Sequence, residues 1–406
     1  MVTHRTRMPI VYAPDPPSTA DLVVIGGGIV GAATAFFAAR AGLKPVVLER
    51  RPALCTLTTA AAAGGFRLQL DSEEELRLIR ESVALFLDFE QATGQREYDA
   101  GVRQRGYLWL TTTDEGIERQ RRLVEAQRSW GLRDVELLDD DDLRQAFPFV
   151  DPVVRQARFR QADGLIDPKG LAMGLAAGAR AATFALGCEV TGIDVEGDRV
   201  RAVETSRGAV STPAVVVAAG PFSGVLAALA GVKLPLLTVR RHKLVMPEVP
   251  EVPPDAPMTI DDDTGAHWRP AFRGAFLLFT DPATTPTPPT DSVPIDHSFA
   301  FQLLDPGSAQ AVARVVPFWR DVWERGGHHW LLQAGQYTMT PDRRPLLGQT
   351  GVQGLYLNTG YSGRGVMGAP AGSRILIDVV IGTLGPEANP FRPDREFTER
   401  PHLDPL

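Results

Sequence analysis

The chain has 406 residues, 44% hydrophobic and 22% charged, with a formal net charge of −7. That length accommodates two domains with sizeable cores, and the acidic balance argues against nucleic acid or an anionic membrane as a main partner. The four lysines (Lys44, Lys169, Lys233, Lys243) are outnumbered by 38 arginines that form no basic run, which reads as a GC-rich genome rather than a binding strategy. Cys55 and Cys188 stand far apart with no CxxC spacing, so neither a disulfide framework nor a zinc site is expected.

Residues 1–20 lack the apolar segment of a signal peptide, and no run of about 18 apolar residues occurs. A short, mobile N-terminal extension, a cytoplasmic location and no integral membrane segment are therefore expected. An apolar strand at 22–25 then leads into Gly26-x-Gly28-x-x-Gly31, a helix to about Ala41, and a second strand at 46–48 that ends at Glu49. This is a strand, turn, helix, strand unit for a dinucleotide. Gly26 permits the tight turn, Gly28 lets backbone approach a pyrophosphate, and Gly31 lets the helix pack on the strand. The helix N-terminus favours the phosphates, and Glu49 would accept from ribose hydroxyls. The motif alone leaves NAD and FAD open.

Residues 56–69 are small and suit backbone running against a flat ligand. Helical spacing follows at 73–93 and 115–130, and the acids at 139–142 open another helix without implying a function. Residues 164–185 contain a Pro-initiated helix, 189–193, 199–205 and 209–211 are short strands, and 214–220 is a buried strand returning to the dinucleotide unit. Between 234 and 330 the pattern alternates, as in RRHKLVM and GAFLLF, with proline-rich connections at 247–257 and 281–291. His328 and His329 fall on opposite faces of a strand and do not suggest a metal. Near the C-terminus a strand at 355–358, a turn with Gly360, Gly363 and Gly365, and a helix at 370–381 present a second helix N-terminus to a ligand. The expected fold class is α/β (α+β, two-domain): a Rossmann-like dinucleotide-binding domain from 21–95, 155–232 and 334–400, and a mainly antiparallel-sheet substrate domain from 96–154 and 233–333.

With these motifs in place, VVIGGGIVGAATAFFAARAGLKPVVLE, GGFR at 64–67, AAGPFS at 218–223, HWRP at 267–270, TPDRRPLLG and TGYSGRGV, the chain resembles the FAD-dependent amino-acid oxidase family. That family includes glycine oxidase, monomeric sarcosine oxidase, the sarcosine oxidase β subunit and D-amino-acid oxidase, and the likeness runs in order from about residue 20 to 396. The resemblance implies FAD, hydride transfer from the carbon beside a neutral amine to flavin N5, hydrolysis of the imine, and O2 as the expected acceptor, giving H2O2.

Carried over by that resemblance, the cofactor contacts are Gly26, Gly28, Ile29, Val30, Gly31, Glu49, Arg50, Thr58, Thr59, Gly64, Gly65, Phe66, Arg67, Val190, Ala219, Gly220, Gly363, Arg364, Gly365, Val366 and Met367. Gly335 stands where monomeric sarcosine oxidase has its flavin-tethering cysteine, so FAD is expected to be noncovalent. Met367 replaces a carboxylate-holding lysine, Tyr337 stands where glycine oxidase has its carboxylate-binding arginine, and apolar sequence near Leu278 replaces an oxygen-promoting lysine. The carboxylate anchor is expected among Arg364, Arg241, Arg269 and Arg67, because a guanidinium pairs bidentately with a carboxylate. His267 and His242 are candidates to accept the amine proton; Arg364, Tyr337 and His267 form the expected catalytic set. The implied activity is oxidation of the C–N bond of an amino acid, of the N-substituted glycine type, with an N-carboxymethyl β-amino acid giving glyoxylate as one example. Alternatives are a dehydrogenase using a quinone or protein acceptor, a non-catalytic flavoprotein subunit and, more distantly, an NAD-dependent dehydrogenase.

Overall fold

The computed structural model describes residues 10–398 apart from 282, 327 and 328, and its fold is mixed α/β. Among the described residues, one sheet has seven strands in the order Tyr12–Ala13, Thr183–Leu186, Pro45–Glu49, Leu22–Ile25, Val215–Val217, Leu355–Thr359 and Leu346–Gln349. All neighbours are parallel except the last pair. The central strands are apolar runs because both faces are covered. Val24, Val47 and Val216 join the core under the helices, whereas Val23, Val46 and Val215 join a core shared with Ile193, Val200 and Val210. Helix Ile29–Arg40 packs against Pro168–Gly178 and Gly365–Val380, and Val190–Glu196, Arg199–Thr205 and Gly208–Ser211 form the three-stranded sheet on the opposite side. From Leu22–Ile25 the sheet grows in one direction through Pro45–Glu49 and in the other through Val215–Val217, so a crevice opens where the direction switches.

A second sheet has eight strands among the described residues: Leu331–Met339, Leu237–Met246, Gly274–Leu278, His267–Ala271, Met258–Asp261, Tyr107–Thr111, Gln156–Arg160 and Glu136–Asp139. Its pairs are antiparallel except Met258–Asp261 with Tyr107–Thr111. The period-two alternation divides its faces. Leu108, Leu244, Trp268 and Leu277 share a core with Leu303, Trp319 and Val322 of helices Ser298–Leu304 and Phe318–Arg325. The opposite face carries Tyr107, Met258, His267, Leu278, Lys243 and Arg241 and turns toward the seven-stranded sheet.

Several boundaries differ from the sequence reading. Tyr12–Ala13, expected within a mobile extension, is an edge strand beside Thr183–Leu186, satisfying part of that edge's backbone. Gln156–Arg160, expected in the dinucleotide domain, is fully buried between Tyr107–Thr111 and Glu136–Asp139 in the eight-stranded sheet. The helix expected at 73–93 breaks at Asp88 into Glu73–Leu87 and Phe89–Thr93. Pro168–Gly178 is shorter than expected, and Thr183–Leu186 became a strand instead. The C-terminal helix begins at Gly365, so Pro370 lies inside it and the preceding glycine turn is shorter than expected. His328 lies outside the described residues, and His329 is exposed.

Candidate functional site

A continuous cavity of about 440 Å³ runs from the Gly26–Val30 turn to the start of the Gly365–Val380 helix. At the first end, Gly26 has φ +114°, and an added Cβ would stand 2.6 Å from the Ala218 carbonyl oxygen. Gly31 lies behind the wall, where a Cβ would fall 1.8 Å from the Gly26 oxygen. The helix Ile29–Arg40 is capped by Gly28 without a side-chain partner. The Ile29 N–H donates to Thr59 Oγ1 at 3.1 Å, and Val30 and Thr58 line the same wall. Glu49 ends its strand at the mouth, accepting from Gly27 N at 2.7 Å and Arg51 N at 2.8 Å. Arg50 lies 4.0 Å from the Phe222 ring centroid and pairs with Asp291 at 2.5 Å. Val190, Ala219 and Gly220 complete this end.

The segment after Thr59 crosses to the eight-stranded sheet. Gly64 and Gly65 line the cavity, and a Cβ on Gly65 would stand 1.8 Å from Tyr107 Oη. Phe66 turns into the core against Phe86, with ring centroids 5.8 Å apart. Arg67 is buried and lines the cavity, donating to the Gln69 carbonyl and lying 5.0 Å from the Trp109 ring centroid. Asp163 holds this stretch by accepting from Leu68 N at 2.9 Å and Gln69 Nε2 at 3.1 Å.

At the far end, the helix starting at Gly365 has no side-chain cap, and Val366 and Met367 of its first turn line the cavity. Gly363, φ +91°, leaves room for Tyr337, whose Cε2 would otherwise meet a Cβ at 2.5 Å. Burial raises the Tyr337 phenol. Arg364 reaches the wall but its Nη1 is bound to Glu75 at 3.0 and 3.1 Å, with Asp71 3.8 Å from Nη2. Burial pushes the Glu75 carboxyl up, and the Arg364 charge opposes it.

On the eight-stranded sheet, His267, Leu278 and Lys243 fall in one row across three strands. The His267 Nδ1 lies 2.8 Å from the Gly265 carbonyl oxygen. Arg241 lies 5.9 Å from the Tyr337 ring centroid and forms no ion pair among the described residues; its buried Nε has no hydrogen-bond partner. Burial lowers its pKa. Arg269 is outside the cavity wall, donating Nε to Ala63 O at 2.6 Å and Nη1 to Pro270 O at 3.0 Å. His242 turns its ring to the other face, where Nε2 accepts from Asp296 N at 3.0 Å and Phe299 packs against it. His242 still borders the cavity, but its ring is engaged by these contacts on the opposite face of the strand.

The sequence reading missed Lys243, beside the Leu278 position where a lysine was thought absent. Its Nζ donates to Ala62 O at 3.1 Å, lies 4.5 Å from the Phe276 ring centroid, and has its pKa pushed down to about 8 by burial and then by Arg269. The alternation in RRHKLVM already puts Arg241 and Lys243 on one face. Missing was which face met the ligand.

One cavity joining two helix N-termini, with glycine approaches and the strand-end acid Glu49 at one end, fits an extended dinucleotide carrying a flavin. The profile of the DAO family, FAD dependent oxidoreductase, matches residues 21–379. The chain belongs to this FAD-dependent oxidoreductase family. FAD is its cofactor. Mitochondrial sarcosine dehydrogenase of Mus musculus is 30% identical over 90% of this chain, which spans only 40% of that protein's length. The structure of L-proline dehydrogenase from P. horikoshii is similar at a TM-score of 0.79 and 25% identity, covering 90% of this chain and 94% of that one. Glycine oxidase from Geobacillus kaustophilus has the same fold, at a TM-score of 0.80 and 22% identity over 94% of this chain and all of the other. Among the described residues, no helix is long and apolar enough to cross a membrane.

Proposed function

We propose that this protein oxidises the C–N bond of an N-substituted glycine, an N-carboxymethyl β-amino acid being one example, with noncovalent FAD and O2 as acceptor. Overall, the secondary amine, O2 and water give glyoxylate, the primary amine and H2O2. Bound FAD would supply the acceptor for the hydride leaving the carbon beside the nitrogen. The observation carrying this reading is Arg241, a half-buried cation that forms no ion pair among the described residues and whose buried Nε has no hydrogen-bond partner, on the cavity face beside Tyr337. A carboxylate there satisfies a charge whose isolation is costly. Tyr337 walls the carboxylate seat against Gly363, and Met367 gives the adjoining wall an apolar side chain. His267 accepts the amine proton at Nε2, its tautomer set by the Nδ1–H bond to Gly265 O. Arg364 braces the flavin-side turn through Glu75, and Arg67 flanks the same end. Gly335 offers no thiol for a flavin bond. We place the enzyme in the cytoplasm, in keeping with two buried free thiols, Cys55 and Cys188.

The test is anaerobic flavin bleaching across N-substituted glycines, primary D-amino acids and proline analogues. Bleaching by the first group supports the reading, and bleaching by primary amino acids alone defeats it. The dehydrogenase-named relatives support a second reading, in which a quinone or protein takes the electrons. Stoichiometric H2O2 during aerobic turnover would exclude that acceptor.

A further inference from the structure

Arg241 and Lys243 stand two residues apart on the strand Leu237–Met246, so both side chains leave the same face. Both line the cavity, and neither forms an ion pair with a carboxylate among the described residues. Their cationic ends diverge. Arg241 extends toward Tyr337, which pairs with Val239, one same-face position beyond it on one side. Lys243 extends toward Phe276, which pairs with Val245, one same-face position beyond it on the other. With Cα atoms roughly 6.6 Å apart for two residues of strand, and heads turned outward, the two charges form separate seats. Leu278 lies directly opposite Lys243 on the neighbouring strand and lines the same cavity.

Other cations along the wall have partners. Arg364 is neutralised by Glu75 and approached by Asp71, and Arg50 and Arg51 share Asp291 at the adenosine end. Arg269 stands close enough to Lys243 to disfavour its charge, so the Lys243 seat lacks an anion rather than a further cation. Asp281 favours the Arg241 charge through space without forming an ion pair with it among the described residues. A cavity with two separated cations, Lys243 buried and Arg241 half-buried, neither of them ion-paired among the described residues, is poorly matched to a substrate with one carboxylate.

We propose that the substrate is a dianion: an N-substituted glycine whose N-substituent carries a second carboxylate, seated at Lys243 while the glycine carboxylate sits at Arg241. This rests on the N-substituted glycine reading above. The amine lies between the two acids, on the cavity face that His267 and Leu278 share with Lys243. A neutral substituent of the same shape would leave the Lys243 ammonium facing an amide dipole instead of a charge.

The test uses the FAD-loaded enzyme and two isosteric compounds, N-(2-carboxyethyl)glycine and its amide, N-(2-carbamoylethyl)glycine, followed by anaerobic flavin bleaching. The expected result is half-saturation at a concentration about tenfold lower for the acid, the size of one charge-assisted contact. Lys243→Met brings the acid-to-amide ratio to about one and Lys243→Arg preserves most of it, as expected if the charge sets the preference. A wild-type ratio near one with both compounds bleaching overturns the dianion proposal and leaves the N-substituted glycine reading standing. A ratio unchanged by Lys243→Met overturns the assignment of the second seat. If neither compound nor any N-alkyl glycine bleaches the flavin while primary amino acids do, both readings fall together.

Discussion

Arg364 holds Glu75 across 289 residues of chain, Nη1 lying 3.0 and 3.1 Å from the two carboxylate oxygens. The side chains are only 7% and 6% exposed. The pair joins the turn before the C-terminal helix to the first turn of the Glu73–Leu87 helix. Removing one partner leaves a buried charge alone, at a cost of about 3–5 kcal/mol. Arg364→Ala is therefore expected to lower unfolding stability by that order, and the double change with Glu75→Gln to cost less than the sum of the singles. Urea unfolding of the four proteins measures this; additive losses would dissociate the pair.

Gly31 and Gly26 meet backbone to backbone, and a Cβ on Gly31 would fall 1.8 Å from the Gly26 oxygen. Backbone cannot yield as a flexible side chain does, so Gly31→Ala must displace the turn that faces the pyrophosphate. The expected outcome is a rise in the FAD dissociation constant of at least about tenfold, equivalent to about 1.4 kcal/mol. Flavin titration monitored by protein fluorescence checks it, with circular dichroism confirming that the helix survives.

The dinucleotide end was legible because its chemistry is local: glycines, helix and Glu49 follow one another within 24 residues of sequence. The helix N-terminus at Gly365 was legible as a second turn, but its start was set too late because Pro370 reads as a helix opener. Substrate-side charges were less accessible. Arg364 looked like a free anchor because its partner Glu75 lies in a distant helix, and His242 looked equivalent to His267 until strand pairing gave them opposite faces. Lys243 escaped attention because alternation reveals that residues share a face, whereas tertiary packing decides what that face meets.

Lys243 also predicts a pH dependence. Its pKa falls from 10.5 to about 8 in the folded protein, by burial and the nearby Arg269 charge. Between those values the unfolded chain holds the proton and the folded chain does not, so this group's contribution to stability rises with pH from about 8 to 10.5. Carboxylate binding follows the opposite trend, weakening as the ammonium loses its proton above about 8. Both slopes should vanish in Lys243→Met, as read by thermal unfolding without ligand and by titration with a carboxylate inhibitor. A wild-type profile shared by the methionine variant would assign the titration to another group.

Gln336 ties the proline-rich stretch at 283–291 to the cavity: its amide accepts from Thr290 N at 2.9 Å and donates to Thr290 O at 2.8 Å. One residue on, Asp291 meets Arg50 at 2.5 Å and Arg51 at 3.2 Å, at the adenosine end. These contacts strap the segment over the dinucleotide side. Which of them holds it more firmly follows from exposure. The Asp291 side chain is 52% exposed, and an exposed ion pair contributes about 0–1 kcal/mol and is screened by salt. Gln336 is 1% exposed, and its two hydrogen bonds contribute about 0.5–1.5 kcal/mol each. Gln336→Ala is therefore expected to speed FAD release more than Asp291→Asn, by roughly tenfold against roughly twofold, and only the Asp291 effect should shrink in high salt. Release into an excess of an FAD-specific apoenzyme, followed by the activity which that apoenzyme regains, gives both rates. Equal rates in wild type and Gln336→Ala would show that FAD leaves without the strap opening.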